Sequence, residues 1–216
     1  MPLLTHIAVV ADRPLDEQTA QVEKYSFVVC ALIEKFFGRK VRTPNFRKIS
    51  IRISAAVDDL DEQVALGVLL HREPLLIQNL ELLPNADRPK AVLDHICLAL
   101  TKVFEKYQID KRLIADARQF VLDKEYVNWV IGAKYPEPHG TRTARVEAKQ
   151  TLEEASVFLA LFDGRREIFR YHVATASPNE YIFKKYFQKI IWFDDKLEIT
   201  DWSGVRFDFL LPPTVH

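Results

Sequence analysis

From Lys48 to Ala55 the side chains alternate: Ile49, Ile51, Ile53 and Ala55 are apolar, and Lys48, Ser50, Arg52 and Ser54 are polar. Only an extended chain points successive side chains to opposite sides, so this period of two predicts a strand with one buried and one wet face. Such a strand needs a sheet beside it and a hydrophobic layer against its isoleucine face. The residues before it change period. From Asp16 to Phe37, Val22, Tyr25, Val29, Leu32, Ile33 and Phe36 recur three and four apart, and Gly38 stands where a helix would end. A sheet and a long amphipathic helix are therefore expected within the first sixty residues, with a further strand over Leu4–Val10.

The same reading continues along the chain. VALGVLLH (64–71) is apolar on both faces and reads as one central strand. LLPNADRP (82–89) is the clearest internal break, with Asn85 or Asp87 as the cap of a following helix. Val92, Ile96, Leu100, Val103, Phe104 and Tyr107 form that helix's stripe, and a second helix is expected at about 110–124. Beyond it strands dominate. Asp163-Gly164 and Asp201–Gly204 are turn signals between alternating segments. The expectation is one α+β domain over residues 1–216, with two or three substantial helices packed on one or two largely antiparallel sheets. An internal boundary near 82–89 would divide it into 1–83 and 84–216.

Residues 177–195, SPNEYIFKKYFQKIIWFDD, interleave aromatics with lysines. Ser177 to Glu180 has the pattern of a capping box with proline at the first helical position. Projected as a helix to about Ile190, the stretch puts Ile182, Phe183, Tyr186, Phe187 and Ile190 on one arc. Lys184, Lys185, Gln188 and Lys189 fall opposite, with Tyr181. A base-stacking surface needs aromatics and cations on one side, so the expectation is a buried aromatic face and a solvated lysine face.

Chemistry is sparsely signalled. The thirty basic and thirty acidic residues cancel, which gives no electrostatic case for nucleic acid or an anionic membrane as the main partner. No run of eighteen apolar residues marks a membrane span. Glycine-rich phosphate loops, GxSxG, HExxH and CxxC are absent from the sequence. Cys30 and Cys97 sit in apolar runs and read as reduced core residues in a cytoplasmic protein, with no disulfide. Glu147-Ala148-Lys149 vaguely resembles the (D/E)xK element of metal-dependent nucleases, in which carboxylates hold a divalent ion and lysine steadies hydroxide. Chance alone supplies about two such triplets in a chain of this composition, and there are two, this one and Asp194-Asp195-Lys196.

The leading expectation is a non-enzymatic cytoplasmic protein that binds another protein, such as an inhibitor or a toxin-neutralising immunity protein, with no cofactor. A metal-dependent hydrolase or nuclease around Glu147 and Lys149 is the alternative, and a small-ligand-binding module the second alternative. Two loops stand out as contact surfaces. The acidic turn Asp58, Asp59, Asp61 and Glu62 would suit a basic partner. The loop from Tyr135 to Arg142 displays Tyr135, His139 and Arg142, residue types favoured as interface anchors.

Overall fold

A computed structural model describes residues 1–11, 17–54, 63–74 and 80–212. They fall into two compact units, Met1–Tyr126 and Val127–His216. Among the described residues the architecture is mixed α+β, with three long helices, a fourth of four residues, and twelve strands in three sheets.

In the first unit, β1 (His6–Ala11), β2 (Lys48–Ser54) and β4 (Val68–Pro74) run parallel, and β3 (Gln63–Ala65) pairs antiparallel with β4, in the order β1-β2-β4-β3. A parallel pair needs a crossover, and α1 (Glu17–Phe37) supplies the one between β1 and β2. The alternation in β2 does what its period requires. Ile49, Ile51 and Ile53 are buried, and they stand opposite Leu69, His71 and Glu73 of β4. α1 buries Val22, Tyr25, Val29, Leu32, Ile33 and Phe37, and ends where Gly38 takes φ +47° and donates its amide to the Glu34 carbonyl. α2 (Arg88–Lys106) and α3 (Arg112–Asp123) complete the layer. Asp87 is the residue before α2, although its side chain makes no capping bond. The stretch 82–89 leads from a short 3-10 turn at Leu80–Leu82 into α2, inside this unit.

VALGVLLH is not one strand. Leu66 and Gly67 both adopt positive φ, +52° and +75°, and fold it into the β3–β4 hairpin. A leucine in that conformation is uncommon, which is why continuous hydrophobicity concealed the turn.

In the second unit, β5 (Asn128–Ile131), β7 (Arg142–Gln150), β8 (Ala155–Asp163) and β9 (Arg166–Ala176) form an antiparallel sheet in that order, with β6 (Tyr135–Pro136) also on β7. A second antiparallel sheet is the meander β10 (Ile190–Trp192), β11 (Lys196–Thr200) and β12 (Arg206–Leu210). Its turn is built by Asp201, whose Oδ1 accepts from the Ser203 and Val205 amides at 2.9 and 3.0 Å, while Gly204 takes φ +85°. The core lies between the sheets. Val146, Ala148, Val157, Leu159 and Leu161 meet Phe183, Tyr186, Ile190, Leu197 and Ile199.

The aromatic stretch is shorter as a helix than its pattern predicts. α4 spans only Glu180–Phe183 and continues as a 3-10 turn, Lys184–Tyr186. Asn179, not Ser177, is its cap, accepting from the Tyr181 amide at 3.0 Å. Phe183, Tyr186 and Ile190 are buried as projected, while Ile182 is exposed and Phe187 half-buried. Lys184, Gln188 and Lys189 face water. The chain turns into β10 once its large aromatics have reached the core, and the helix stops there.

Candidate functional site

The five-stranded sheet has two faces. Even-numbered residues of β7 point to the core, so Arg145, Glu147 and Lys149 stand on the opposite, outer face. Cross-strand pairing places Trp129 and Ile131 of β5, Phe158 and Phe162 of β8, and Arg170 and His172 of β9 on that face as well.

At its centre Glu147 is 2% exposed. Arg145 donates through Nε to one carboxylate oxygen, and Arg170 donates through Nη2 to the other at 2.8 Å. Arg170 also grips Glu167, with Nε–Oε1 at 2.8 Å and Nη2–Oε2 at 2.6 Å. The hydrogen bonds to Glu167, and then those to Glu147, raise the Arg170 pKa, and the same guanidinium holds Glu167 below the usual carboxylate range. Rings flank the cations. The Arg170 guanidinium lies 5.6 Å from the Trp129 ring and 5.2 Å from Phe158, and Arg145 lies 4.3 Å from Phe162. Phe158 contacts both Trp129 and His172, with ring centroids 6.2 and 5.6 Å away. Trp129 remains 39% exposed.

Lys149 shares this face with Glu147, as alternation requires, and is exposed. The carboxylate, however, is already held by two guanidinium groups, so a metal ion there would have to displace Arg145 and Arg170. Among the described residues no three His, Cys, Asp or Glu side chains assemble as a metal-ligand set.

Tyr135 and Arg142 are brought together by Trp192. Its Nε1 donates to the Tyr135 carbonyl at 3.2 Å, and the Arg142 guanidinium lies 5.7 Å from its ring. Both are occupied inside the fold: the Tyr135 hydroxyl donates to the Gln188 carbonyl, and Arg142 makes a two-pronged pair with Glu137, whose pKa it lowers. His139 is exposed, with φ +64°. Asp58, Asp59, Asp61 and Glu62 lie outside the described residues.

The first unit holds a second buried carboxylate. Glu73 of β4, 1% exposed, accepts from Lys102 of α2 at 2.5 Å and bonds His71 at 2.9 Å. Burial pushes its pKa up, but the hydrogen bonds from His71 and Lys102 outweigh burial and leave it below the ordinary value. His95, seven residues before Lys102 on α2, is buried with Nε2 making no hydrogen bond among the described residues, and burial lowers its pKa. Cys30 and Cys97 are free and buried, and burial pushes the Cys97 thiol up to about 12. Neither is a ready nucleophile. No helix among the described residues is long and apolar enough to cross a membrane.

Compared with protein-family models, curated proteins and solved structures, the chain matches none.

Proposed function

We propose that the protein is a non-enzymatic cytoplasmic protein that binds another protein, of the inhibitor or toxin-neutralising kind, through the outer face of the second unit's five-stranded sheet. One observation carries this reading: Trp129, Phe158, Arg145 and Arg170 are exposed or half-buried, the two arginines are fixed in place by Glu147 and Glu167, and Arg170 lies against both rings. Tryptophan and arginine dominate the energetic centres of interfaces. Groups ordered before binding lose less freedom when a partner arrives. Ile131, 51% exposed beside Trp129, adds apolar area.

Charge at this face selects a partner that presents carboxylates. Lys149, Lys134 and Arg165 stand on or beside it, whereas Glu147 and Glu167 are both consumed by Arg145 and Arg170, and Glu154, which accepts from Ser156, lies at the far end from Lys134 and Arg165. The preference for a basic partner belongs to the acidic segment 58–62 alone. Nucleic-acid bases are a poorer fit, because one guanidinium already lies against both Trp129 and Phe158.

The test is affinity capture from the source cells with wild type, Trp129→Ala and the control Leu210→Ala, a residue exposed on β12. A protein retained by wild type and by the control, and lost with Trp129→Ala, supports the reading. Equal capture by all three overturns it, as does an oligothymidine that quenches tryptophan fluorescence in wild type but not in Trp129→Ala.

A further inference from the structure

At the hairpin end of the outer face a cleft of about 220 Å³ is lined by Lys134, Thr143, Arg145, Phe162, Gly164 and Arg165. Three of these six residues are cationic and none is acidic. Arg145 is balanced by Glu147 and braced against Phe162. Lys134 and Arg165 make no ion pair with any described residue. Asp163, the nearest carboxylate in sequence, accepts from Thr141 at 3.0 Å and does not line the cleft. Two uncompensated positive charges, a guanidinium fork held from behind, and a threonine hydroxyl therefore surround one space.

Volume decides how much of a ligand fits. Sites for whole drug-sized molecules run from roughly 300 to 1,000 Å³, and this cleft falls below that range. It admits a head group, not a whole cofactor. Charge decides which head group. A carboxylate brings one negative charge, and would leave one of the two unpaired cations unmatched. A phosphate monoester brings close to two, with three acceptor oxygens that guanidinium forks and hydroxyls match. We propose that this cleft is a binding site for a phosphate monoester group, with Lys134 and Arg165 supplying the charge and Arg145 and Thr143 the directional donors. The group arrives on a free small molecule or on a phosphorylated residue, and the cleft needs no protein partner to be filled by the former.

The experiment is an amide NMR titration of the full chain at constant ionic strength, with inorganic phosphate as the first probe and acetate as the control. Saturable shifts at Thr143, Gly164 and Arg165 with phosphate and none with acetate are expected. The Lys134→Ala/Arg165→Ala variant alters only exposed residues, and should bind phosphate about tenfold more weakly or worse. Glycerol phosphate and a phosphoserine tripeptide, titrated side by side, separate the sources: binding of either supports the site, and the tighter names its origin. No saturable shift with any phosphate, equal shifts with acetate, or unchanged affinity in the double variant overturns the proposal. The cleft shares Arg145 with the proposed partner-binding face, and retained phosphate binding in Trp129→Ala makes the failure of one reading distinguishable from the failure of the other.

Discussion

Glu73 and Glu147 are both buried carboxylates held by two basic groups, one in each unit, yet their surroundings differ. Glu73 lies on the isoleucine face of a mixed sheet, beside its parallel neighbour β2, and is met by an imidazole and by Lys102, whose side chain is 46% exposed. Glu147 lies on the outer face of an antiparallel sheet and is met by two arginines, 24% and 29% exposed and backed by aromatic rings. One holder of Glu73, Lys102, has water to retreat to. Neither holder of Glu147 has an easy exit. The first arrangement tolerates disturbance and, through the lowered pKa of Glu73, weakens in acid. The second is rigid, and presents its cations outward in fixed positions, as a recognition surface requires.

The two units can be watched separately, because Trp129, Trp192 and Trp202 all lie in the second and the three long helices all lie in the first. Tryptophan fluorescence and helical circular dichroism thus report different units. The largest expected effect is on the second: Phe183→Ala empties a fully buried ring site and should cost about 3–5 kcal/mol in the fluorescence-detected urea transition. A smaller loss in fluorescence than in the helical signal would show that the Phe183 site has been misjudged.

Next comes the comparison itself. Glu147→Gln leaves Arg145 without its carboxylate and Arg170 with Glu167 alone, and should cost about 2–3 kcal/mol, below a fully desolvated pair because both keep some solvent. Glu73→Gln should cost about 1–2 kcal/mol, since Lys102 turns to water. Urea titrations giving the opposite order would undo the contrast.

Acid should separate the units further. His95 has a depressed folded-state pKa, so the unfolded chain binds its proton first, and stability falls as pH drops below the ordinary value of 6.5. Glu73 is also depressed; its contribution is present above 4.5 and is lost as pH falls through the folded value. In the second unit the lowered groups are the carboxylates Glu137, Glu167 and Asp201, whose contributions persist until the carboxylate range. Between pH 7 and 5 the helical transition should weaken while the fluorescence transition holds, and His95→Gln should flatten that slope. A fluorescence midpoint that falls first would contradict this. The smallest effect belongs to Lys185→Ala. Its ammonium stands 3.8 Å from Asp201, partly in water, and the variant should stay within about 0.5 kcal/mol of wild type by either signal.

What could be read in advance follows from distance along the chain. The β2 alternation, the α1 stripe with Gly38, and the turns at Gly164 and Gly204 are encoded within a few residues, and the structure contains them. Contacts set by pairing were not visible. Arg170 reaches Glu147 from 23 residues away, and the β8–β9 register that brings it there shifts at Val157/Phe158 and again at Leu161/Phe162. Lys102 reaches Glu73 across 29 residues. Spacing alone put Glu147 and Lys149 on one face but was silent about the arginines that occupy the carboxylate. His71 and Glu73, two apart on a strand, were the one local clue to the first cluster.

β9 carries a consequence of its own. It is eleven residues long and closes one side of its sheet, so it offers the kind of unpaired amide row onto which a foreign strand polymerises. Its exposed Ile168 and Phe169 would favour such growth, but Arg165, Arg166 and Glu167 precede them and Arg170 follows. Charges flanking an apolar pair act as gatekeepers against fibrils, and the two register shifts bend the strand away from the flatness that stacking needs. The arginine that holds Glu147 on the outer face therefore also helps to keep the chain from assembling with itself.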